Sequence, residues 1–122
     1  MSEDDYKKDI IRKMRALNLY KKEYAYTINI LAKCLYDYEQ MQDTFAKSGG
    51  NIVVRHTNKG GSTNATKNPF YAAIETLRSD ILAYARELGM TPSSLKRINE
   101  TEVTAGRKVS PLAALLREVN KA

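Results

Sequence analysis

The sequence predicts a mainly α-helical fold, in which a helical domain has a long central helix, a short β-hairpin insertion and a C-terminal helical tail. Apolar residues recur at spacings of three and four through several long segments, as expected for amphipathic helices. Cap-plus-proline pairs mark three helix starts, and only one segment combines β-branched residues with glycines. A chain of 122 residues is long enough for one domain.

The first helix is expected to begin at Ser2, because Glu3 to Asp5 supply acids that favour a helix N-terminus. Its apolar stripe consists of Tyr6, Ile10, Met14 and Leu17. The opposite face carries three candidate nucleic-acid contacts, Lys8, Arg12 and Arg15. The same face is equally consistent with a solvated surface balanced by Asp4, Asp5 and Asp9. Asn18 and Leu19 are expected to form a bend.

The second helix is expected to run from about Tyr20 to Lys47 or Ser48, where Gly49-Gly50 ends it. Its apolar positions step by four and three, which is close to a heptad spacing. A helix of this length cannot bury its whole stripe inside so small a domain, so the spacing predicts a homo-oligomer. An intrachain antiparallel helix pair would explain part of the stripe. The predicted oligomerisation residues are Tyr24, Ile28, Leu31, Leu35, Tyr38 and Phe45.

A β-hairpin is predicted at about residues 50–66. Ile52-Val53-Val54 is β-prone, Asn58-Lys59-Gly60-Gly61 is a turn signal, and a weak return strand follows. The stretch from Gly49 to Lys67 has no acidic residue, which makes its cations candidates for phosphate contact; a mobile surface hairpin is the alternative. These cations are Arg55, Lys59 and Lys67. The Gly-x4-Gly-Lys-Ser/Thr order of a phosphate-binding P-loop is missing.

Both ends of the third helix are marked by characteristic residues in the sequence. Asn68 can cap the first free N–H groups, Pro69 suits the first helical position, and Gly89 suits the left-handed residue after the helix. Thr91-Pro92 then starts a short helix that should reach about Ile98. Its Lys96 and Arg97 are further nucleic-acid-binding candidates.

The chain after Ile98 is expected to be a linker and a tail. Residues 99–109 are polar, and Ser110-Pro111 starts a last helix whose apolar side could dock on a partner protein. Those docking residues are Leu112, Leu115, Leu116 and Val119. Docking onto the same or an adjacent subunit is an equal alternative. The predicted division is therefore a recognition and oligomerisation domain at 1–98 and a partner-docking tail at 99–122.

The composition of the chain limits the classes of function that it can have. A net charge of +6 and a pI near 9.4 favour a polyanionic partner. With one cysteine, Cys34, and one histidine, His56, the sequence has no nucleophile–base pair, no metal-ligand cluster and no nucleotide motif. We therefore predict a protein without enzymatic activity, cofactor or metal. No apolar run suits a membrane span, and the acidic start does not suit a signal peptide, so a reducing cytoplasm is expected.

One pair of motifs resembles a known family. Asn68-Pro69, a long amphipathic helix and Leu88-Gly89-Met90-Thr91-Pro92-Ser93-Ser94 resemble the small subunits of tailed-phage DNA-packaging terminases. The likeness is to the branch often encoded near HNH endonucleases, and it covers roughly Asp9 to Ile98. Members tend to carry an arginine directly after the Ser pair, where this chain has Leu95, so no role of that arginine is carried over.

The resemblance implies a ring-like homo-oligomer in the host cytoplasm that binds the packaging-initiation region of double-stranded phage DNA, such as a cos site. It implies the large terminase subunit, an ATPase and nuclease, as a partner that could engage the tail, and an HNH endonuclease as a further candidate. Two other classes stay open. One is a helix-turn-helix-type regulator or nucleoid protein. The other is a helical adaptor that binds only proteins.

Overall fold

A computed structural model describes residues 1–101, which form four α-helices and one β-hairpin. In chain order the elements are α1 (Glu3–Ala16), a short 3₁₀ turn (Lys22–Tyr24), α2 (Ala25–Lys47), β1 (Val53–Thr57), β2 (Thr63–Lys67), α3 (Pro69–Glu87) and α4 (92–101). The predicted tail helix, with Leu112, Leu115, Leu116 and Val119, lies outside the described residues.

The helix starts follow the cap chemistry that the sequence indicates. The Ser2 hydroxyl accepts a hydrogen bond from the Asp5 amide at 3.1 Å, and the Asp5 carboxylate accepts one from the Ser2 amide at 2.9 Å. This reciprocal capping box satisfies two of the N–H groups that a helix start leaves unpaired. After α1, Asn18 adopts a left-handed φ of 58°, which confirms the expected bend.

The helix α2 is the central element, since both α1 and α3 pack against it. Tyr6 near the start of α1 contacts Glu39 in the second half of α2, so these two helices run antiparallel. Phe45 at the end of α2 packs on Tyr71 at the start of α3, with ring centroids 5.6 Å apart, so α3 is also antiparallel to α2. The heptad stripe of α2 thus serves first as an intrachain helix-packing seam.

The hydrophobic core lies at one end of this arrangement. It contains residues of α1, α2 and the bend between them, together with Leu88 at the end of α3: Ile10, Met14, Leu19, Ile28, Leu31, Ala32 and Leu88. Leu95 and Ile98 of α4 pack against the same cluster. We call residues 1–39 and 78–101 the helical body, and residues 40–77, which continue beyond the reach of α1, the hairpin arm.

The helix α4 differs in length from the sequence expectation. Gly89 has a φ of 77° and ends α3 as expected, and residues from Pro92 onward are helical. The helix does not stop near Ile98 but includes residues 99–101, which the sequence suggested were linker. Asn99 and Glu100 lie on the exposed side of α4, and exposed polar residues do not end a helix.

The hairpin is an antiparallel ribbon in which Val53 pairs with Lys67, Arg55 with Ala65, and Thr57 with Thr63. Each strand has five residues, and only Val54 is partly buried. The first strand begins one residue later than the β-prone run because Ile52 forms the connection to the helices: its carbonyl accepts the Asn68 amide at 2.7 Å.

Candidate nucleic-acid interface

Positive charge is concentrated in residues 44–74, the inner part of the hairpin arm. Between Asp43 and Glu75 the chain has no acidic residue, yet it has four basic ones. The rest of the chain carries the other 16 of the 20 basic residues together with all 14 acidic residues, so it is close to neutral. Four of the six net charges therefore belong to residues 44–74. A field of this kind attracts a polyanion.

The tip of the hairpin is ordered by Asn58. Its side-chain oxygen accepts hydrogen bonds from the amides of Gly60 at 3.0 Å and Ser62 at 3.1 Å. Arg55 and Lys59 are exposed beside this turn and form no ion pair with any residue that the structure describes. The two cations at this end of the ribbon are thus available to an external anion.

The two cations at the base of the arm are instead neutralised locally. Lys47 pairs with Asp43 at 2.9 Å, and Lys67 pairs with Glu75 at 2.7 Å. Hydrogen bonding to those carboxylates raises the pKa of both lysines. Lys67, a nucleic-acid-binding candidate from the sequence, is therefore already engaged with α3. The positive charge that is available to a ligand is therefore that of Arg55 and Lys59, toward the turn of the hairpin.

Asn68 joins the ribbon to the helices. It is buried, its side-chain oxygen caps the Phe70 amide at 2.9 Å, and its side-chain nitrogen donates to the Asn51 carbonyl at 2.9 Å. Its own amide donates to the Ile52 carbonyl. One residue thus caps α3 and fixes both ends of the hairpin to that cap. The sequence indicated the cap, but a contact 17 residues back along the chain has no local signal.

The candidate face on α1 is exposed as expected, but its charges have partners. Lys8 pairs with Asp4 at 3.2 Å, Arg12 pairs with Asp9, and Lys13 reaches the same Asp9. The Arg15 guanidinium lies over the Tyr20 ring, 4.8 Å from its centroid. Exposed pairs of this kind are worth little and can exchange for a phosphate. The balancing by Asp4 and Asp9 that the sequence left open is therefore present, and the net field of this face is weak.

The candidates on α4 face solvent. Lys96 and Arg97 are exposed, while Leu95 and Ile98 turn toward the core. Lys96 has a loose pairing with Glu100 at 3.9 Å. The N-terminus of α4 is closed by Thr91 and Ser94, whose hydroxyl oxygens lie 2.6 Å apart. Because four residues, 88–91, separate α3 from α4 and Gly89 lies among them, the two helices have the connection of a helix-turn-helix.

The predicted oligomerisation residues divide into two groups. Ile28 and Leu31 are buried in the chain's own core, with exposed fractions of 0% and 2%, so a neighbouring subunit cannot reach them in the folded chain. Leu35, Tyr38 and Phe45 are partly buried, and Tyr24 is exposed. Exposed apolar side chains that the sequence did not assign to a subunit interface include Tyr26, Ile52, Val53 and Leu82.

The remaining chemistry-bearing residues are dispersed. Burial raises the pKa of the Cys34 thiol, which disfavours a reactive thiolate. His56 is exposed on β1 opposite Asn64. Within residues 1–101 no cluster of histidine, cysteine and acidic side chains could hold a metal ion. The same residues include no helix that is long and apolar enough to cross a membrane.

Comparison with known protein families gives a match over most of the chain. A family described as "Phage terminase, small subunit" matches residues 7–105, which is most of the chain. The matched range spans α1 to α4 and includes the whole hairpin arm. Neither a search of curated proteins nor a search of solved structures found a similar chain.

Proposed function

Because the chain belongs to the family of phage terminase small subunits, which act in genome packaging, we propose that it binds the packaging-initiation region of a phage genome as a homo-oligomer. In this proposal it recruits or regulates the large ATPase–nuclease subunit in the host cytoplasm. The small subunits of the family are generally non-catalytic, and we assign this chain no reaction of its own.

The observation that supports DNA binding best is the acid-free segment 44–74, whose hairpin exposes two cations, Arg55 and Lys59, that have no ion-pair partner within residues 1–101. Contacts with phosphates should make binding strongly dependent on salt, since each neutralised phosphate adds about 0.9 to the slope of log affinity against log salt. An oligomer that presents the same cations several times gains affinity by multivalency.

The test is a titration of a duplex from the packaging region of the encoding phage, and of a scrambled duplex, across a salt series. We expect tighter binding to the first duplex and a steep salt slope with both. If the chain bound neither duplex at low salt, the proposed role in DNA recognition would be contradicted. Sedimentation of the same sample tests the oligomer, and a compact monomer at micromolar concentration would remove that part.

Oligomer contacts must use the surface that the folded chain leaves open. Since Ile28 and Leu31 are enclosed, we place subunit contacts at Tyr24, directly before α2, and at Tyr38 and Phe45 on α2. Tyr38→Asp should lower the sedimenting mass while leaving the helical signal intact. An unchanged mass would move the interface to another surface.

For the tail we propose docking on the large subunit, with an HNH endonuclease as a further candidate partner. Deleting the chain from Ser110 onward should leave a folded oligomer that still binds DNA and no longer stimulates the large subunit. A truncated chain that aggregates would show that the tail serves folding or assembly instead.

A second candidate is a helix-turn-helix-type DNA-binding regulator without a packaging role. The four-residue connection between α3 and α4, and the extension of α4 through residue 101 with Lys96 and Arg97 exposed, favour it. Reversing both charges would abolish binding in this case. Stimulation of the large subunit's ATPase by the wild-type chain would argue for the packaging role.

A further inference from the structure

We propose that the β-hairpin is a ribbon that enters the major groove of duplex DNA and reads base edges with its outward face. This inference rests on the proposed DNA-binding function and names the element and the groove that it uses. The outward face is the side of the ribbon opposite the partly buried Val54. Alternation places on it Val53, Arg55, Thr57, Thr63, Ala65 and, at the base of the ribbon, Lys67, which is already paired with Glu75.

The ribbon has the dimensions for this task. Five residues per strand at about 3.4 Å each give a paired length of about 17 Å. The major groove is about 12 Å wide and 8.5 Å deep and admits a two-stranded ribbon, whereas the minor groove is only about 6 Å wide. The described residues leave the tip unobstructed, since every residue from Arg55 to Lys67 is exposed.

The chemistry of the outward face suits base edges. Arg55 can donate two hydrogen bonds to a guanine, and its cross-strand neighbour Ala65 is too small to cover it. The Thr57 and Thr63 hydroxyls lie 3.1 Å apart and can each donate or accept. Val53 is 59% exposed, and its methyl groups can contact a thymine methyl.

Duplex DNA fits this surface better than single-stranded nucleic acid does. Proteins that bind single strands supply aromatic side chains on which bases stack. Residues 46–69 contain no Phe, Tyr or Trp. The ribbon therefore has donors and methyl groups for groove edges, and its one aromatic ring, the imidazole of His56, lies on the opposite face.

The angle of the ribbon is fixed rather than variable. Asn68 ties Asn51 and Ile52, at the start of the hairpin, to the first turn of α3. Base readout requires such a fixed approach, since side chains must meet base edges within hydrogen-bond distance. A tether that only delivered charge to phosphates would not require it.

The ribbon and the opposite end of the molecule provide a matched pair of charge reversals. Arg55→Glu with Lys59→Glu changes the ribbon, and Lys21→Glu with Lys22→Glu makes the same charge change before α2. Lys21 and Lys22 are exposed and form no ion pair within residues 1–101. The 23 residues of α2 span about 34 Å, so the two sites lie far apart.

Binding of the full-length variants to a guanine-rich duplex of about 30 base pairs should separate them at low salt. The ribbon variant should lose at least about tenfold in affinity, because it loses direct contacts with the DNA. The control variant should lose at most about threefold, because it changes only the long-range electrostatic field, which salt screens. Equal losses would overturn the assignment, because net charge alone would then explain the binding. A wild-type chain that binds no duplex would instead remove the proposed function itself.

Arg55→Lys separates groove readout from phosphate contact. It keeps the charge but loses the two-pronged donor geometry. We expect weaker binding for this variant, together with protection of guanine N7 from dimethyl sulfate by the wild-type chain. Wild-type affinity for Arg55→Lys, or protection of adenine N3 in the minor groove without guanine N7, would overturn the major-groove assignment. A ribbon variant with normal affinity and a reduced sedimenting mass would show that the ribbon joins copies of the chain.

Discussion

The helical body and the hairpin arm differ in how they treat apolar surface and charge. In the body, apolar residues of four helices meet in one core, and cations such as Lys8, Lys13 and Lys33 lie beside acids on their own helices. In the arm, the only buried residues are Ile74 and Asn68. The arm's two outermost cations have no acidic partner in the described part of the chain.

This difference separates the part of the molecule that stabilises the fold from the part that is available to a ligand. Buried apolar area is the main source of folding free energy, and the body supplies nearly all of it. A two-stranded hairpin alone is at best marginally stable in water, so the arm depends on α2 and α3 for its order. Substitutions in the body should therefore change stability, and substitutions in the arm should change binding.

The largest effect is expected from Leu31→Asp in the core of the body. Leu31 is 2% exposed, and a carboxylate there would be buried without a partner. We expect loss of the folded state, whereas Leu31→Ala should cost about 2–5 kcal/mol. Circular dichroism in a urea series measures both.

Leu82 is the control for this prediction, because it is 54% exposed on α3. Leu82→Ala should change the free energy of unfolding by less than about 0.5 kcal/mol. If Leu31→Ala and Leu82→Ala proved equally mild, the single core of the body would be contradicted. If Leu82→Ala lowered the sedimenting mass, the exposed side of α3 would be a subunit interface.

Gly89→Ala should give the next largest effect. Gly89 has a φ of 77°, and an added Cβ would lie 2.5 Å from the Ile98 Cδ1 atom, so the Ile98 side chain would have to move from its place against the core. Gly61 in the hairpin has a similar φ of 83° but open space around it. Gly61→Ala should cost about 1 kcal/mol from backbone strain alone.

The difference between the two glycine variants measures the close packing of α4 on the body. We expect Gly89→Ala to cost at least about 2 kcal/mol, since a clash adds to the strain. Thermal unfolding followed by circular dichroism is sufficient. Equal costs would mean that the Ile98 side chain moves aside without loss of packing on the core.

The sequence predicted well those features that depend on local chemistry. Ser2, Asn68-Pro69 and Gly89 mark helix ends because caps, proline and left-handed glycine act within a few residues, and all of these ends are confirmed. The family resemblance, which was carried by two motifs at the ends of α3, is also confirmed.

Features that depend on which surfaces pack together could not be predicted from the sequence in the same way. The stripe that includes Ile28 and Leu31 is the same whether the partner is an intrachain helix or another subunit, because both bury apolar residues at the same spacing. The neutralisation of Lys67 by Glu75 depends on where β2 ends relative to α3. The candidate site could therefore be located by charge, but which of its cations are unpaired required the folded arrangement.

A smaller effect is expected at Asn68, where the two regions are joined. Asn68→Asp keeps an oxygen to cap the Phe70 amide but replaces the donor to the Asn51 carbonyl with a second oxygen. Asn68→Ala removes both interactions and should cost about 1–3 kcal/mol. We expect Asn68→Asp to be milder and to accelerate hydrogen exchange in β1 and β2.

Asn64→Asp controls for the added charge, because Asn64 is exposed on β2 and its side chain is not part of this link. Its strand amides should exchange as in the wild type. Similar exchange rates for Asn68→Asp and Asn64→Asp would contradict the role of Asn68 as the fixed joint between arm and body.

The smallest effect concerns Tyr6 and Glu39, which close α1 on α2 at the boundary between body and arm. The Tyr6 hydroxyl donates to the Glu39 carboxylate at 2.7 Å, which lowers the pKa of Glu39 from its ordinary 4.5 and raises that of Tyr6 to about 12. A carboxyl with a lowered pKa stabilises the folded chain above its unfolded pKa, and this contribution is lost as pH falls through the folded value. A phenol with a raised pKa contributes to stability below pH 10 and loses this contribution as pH rises toward 12.

Tyr6→Phe should therefore reduce stability slightly at neutral pH, and the difference from wild type should shrink below pH 4.5. Urea unfolding at neutral and acidic pH measures it, with the exposed Tyr26→Phe as control. A deficit that stays constant into acid would show that the lost hydroxyl acts without the charge of Glu39.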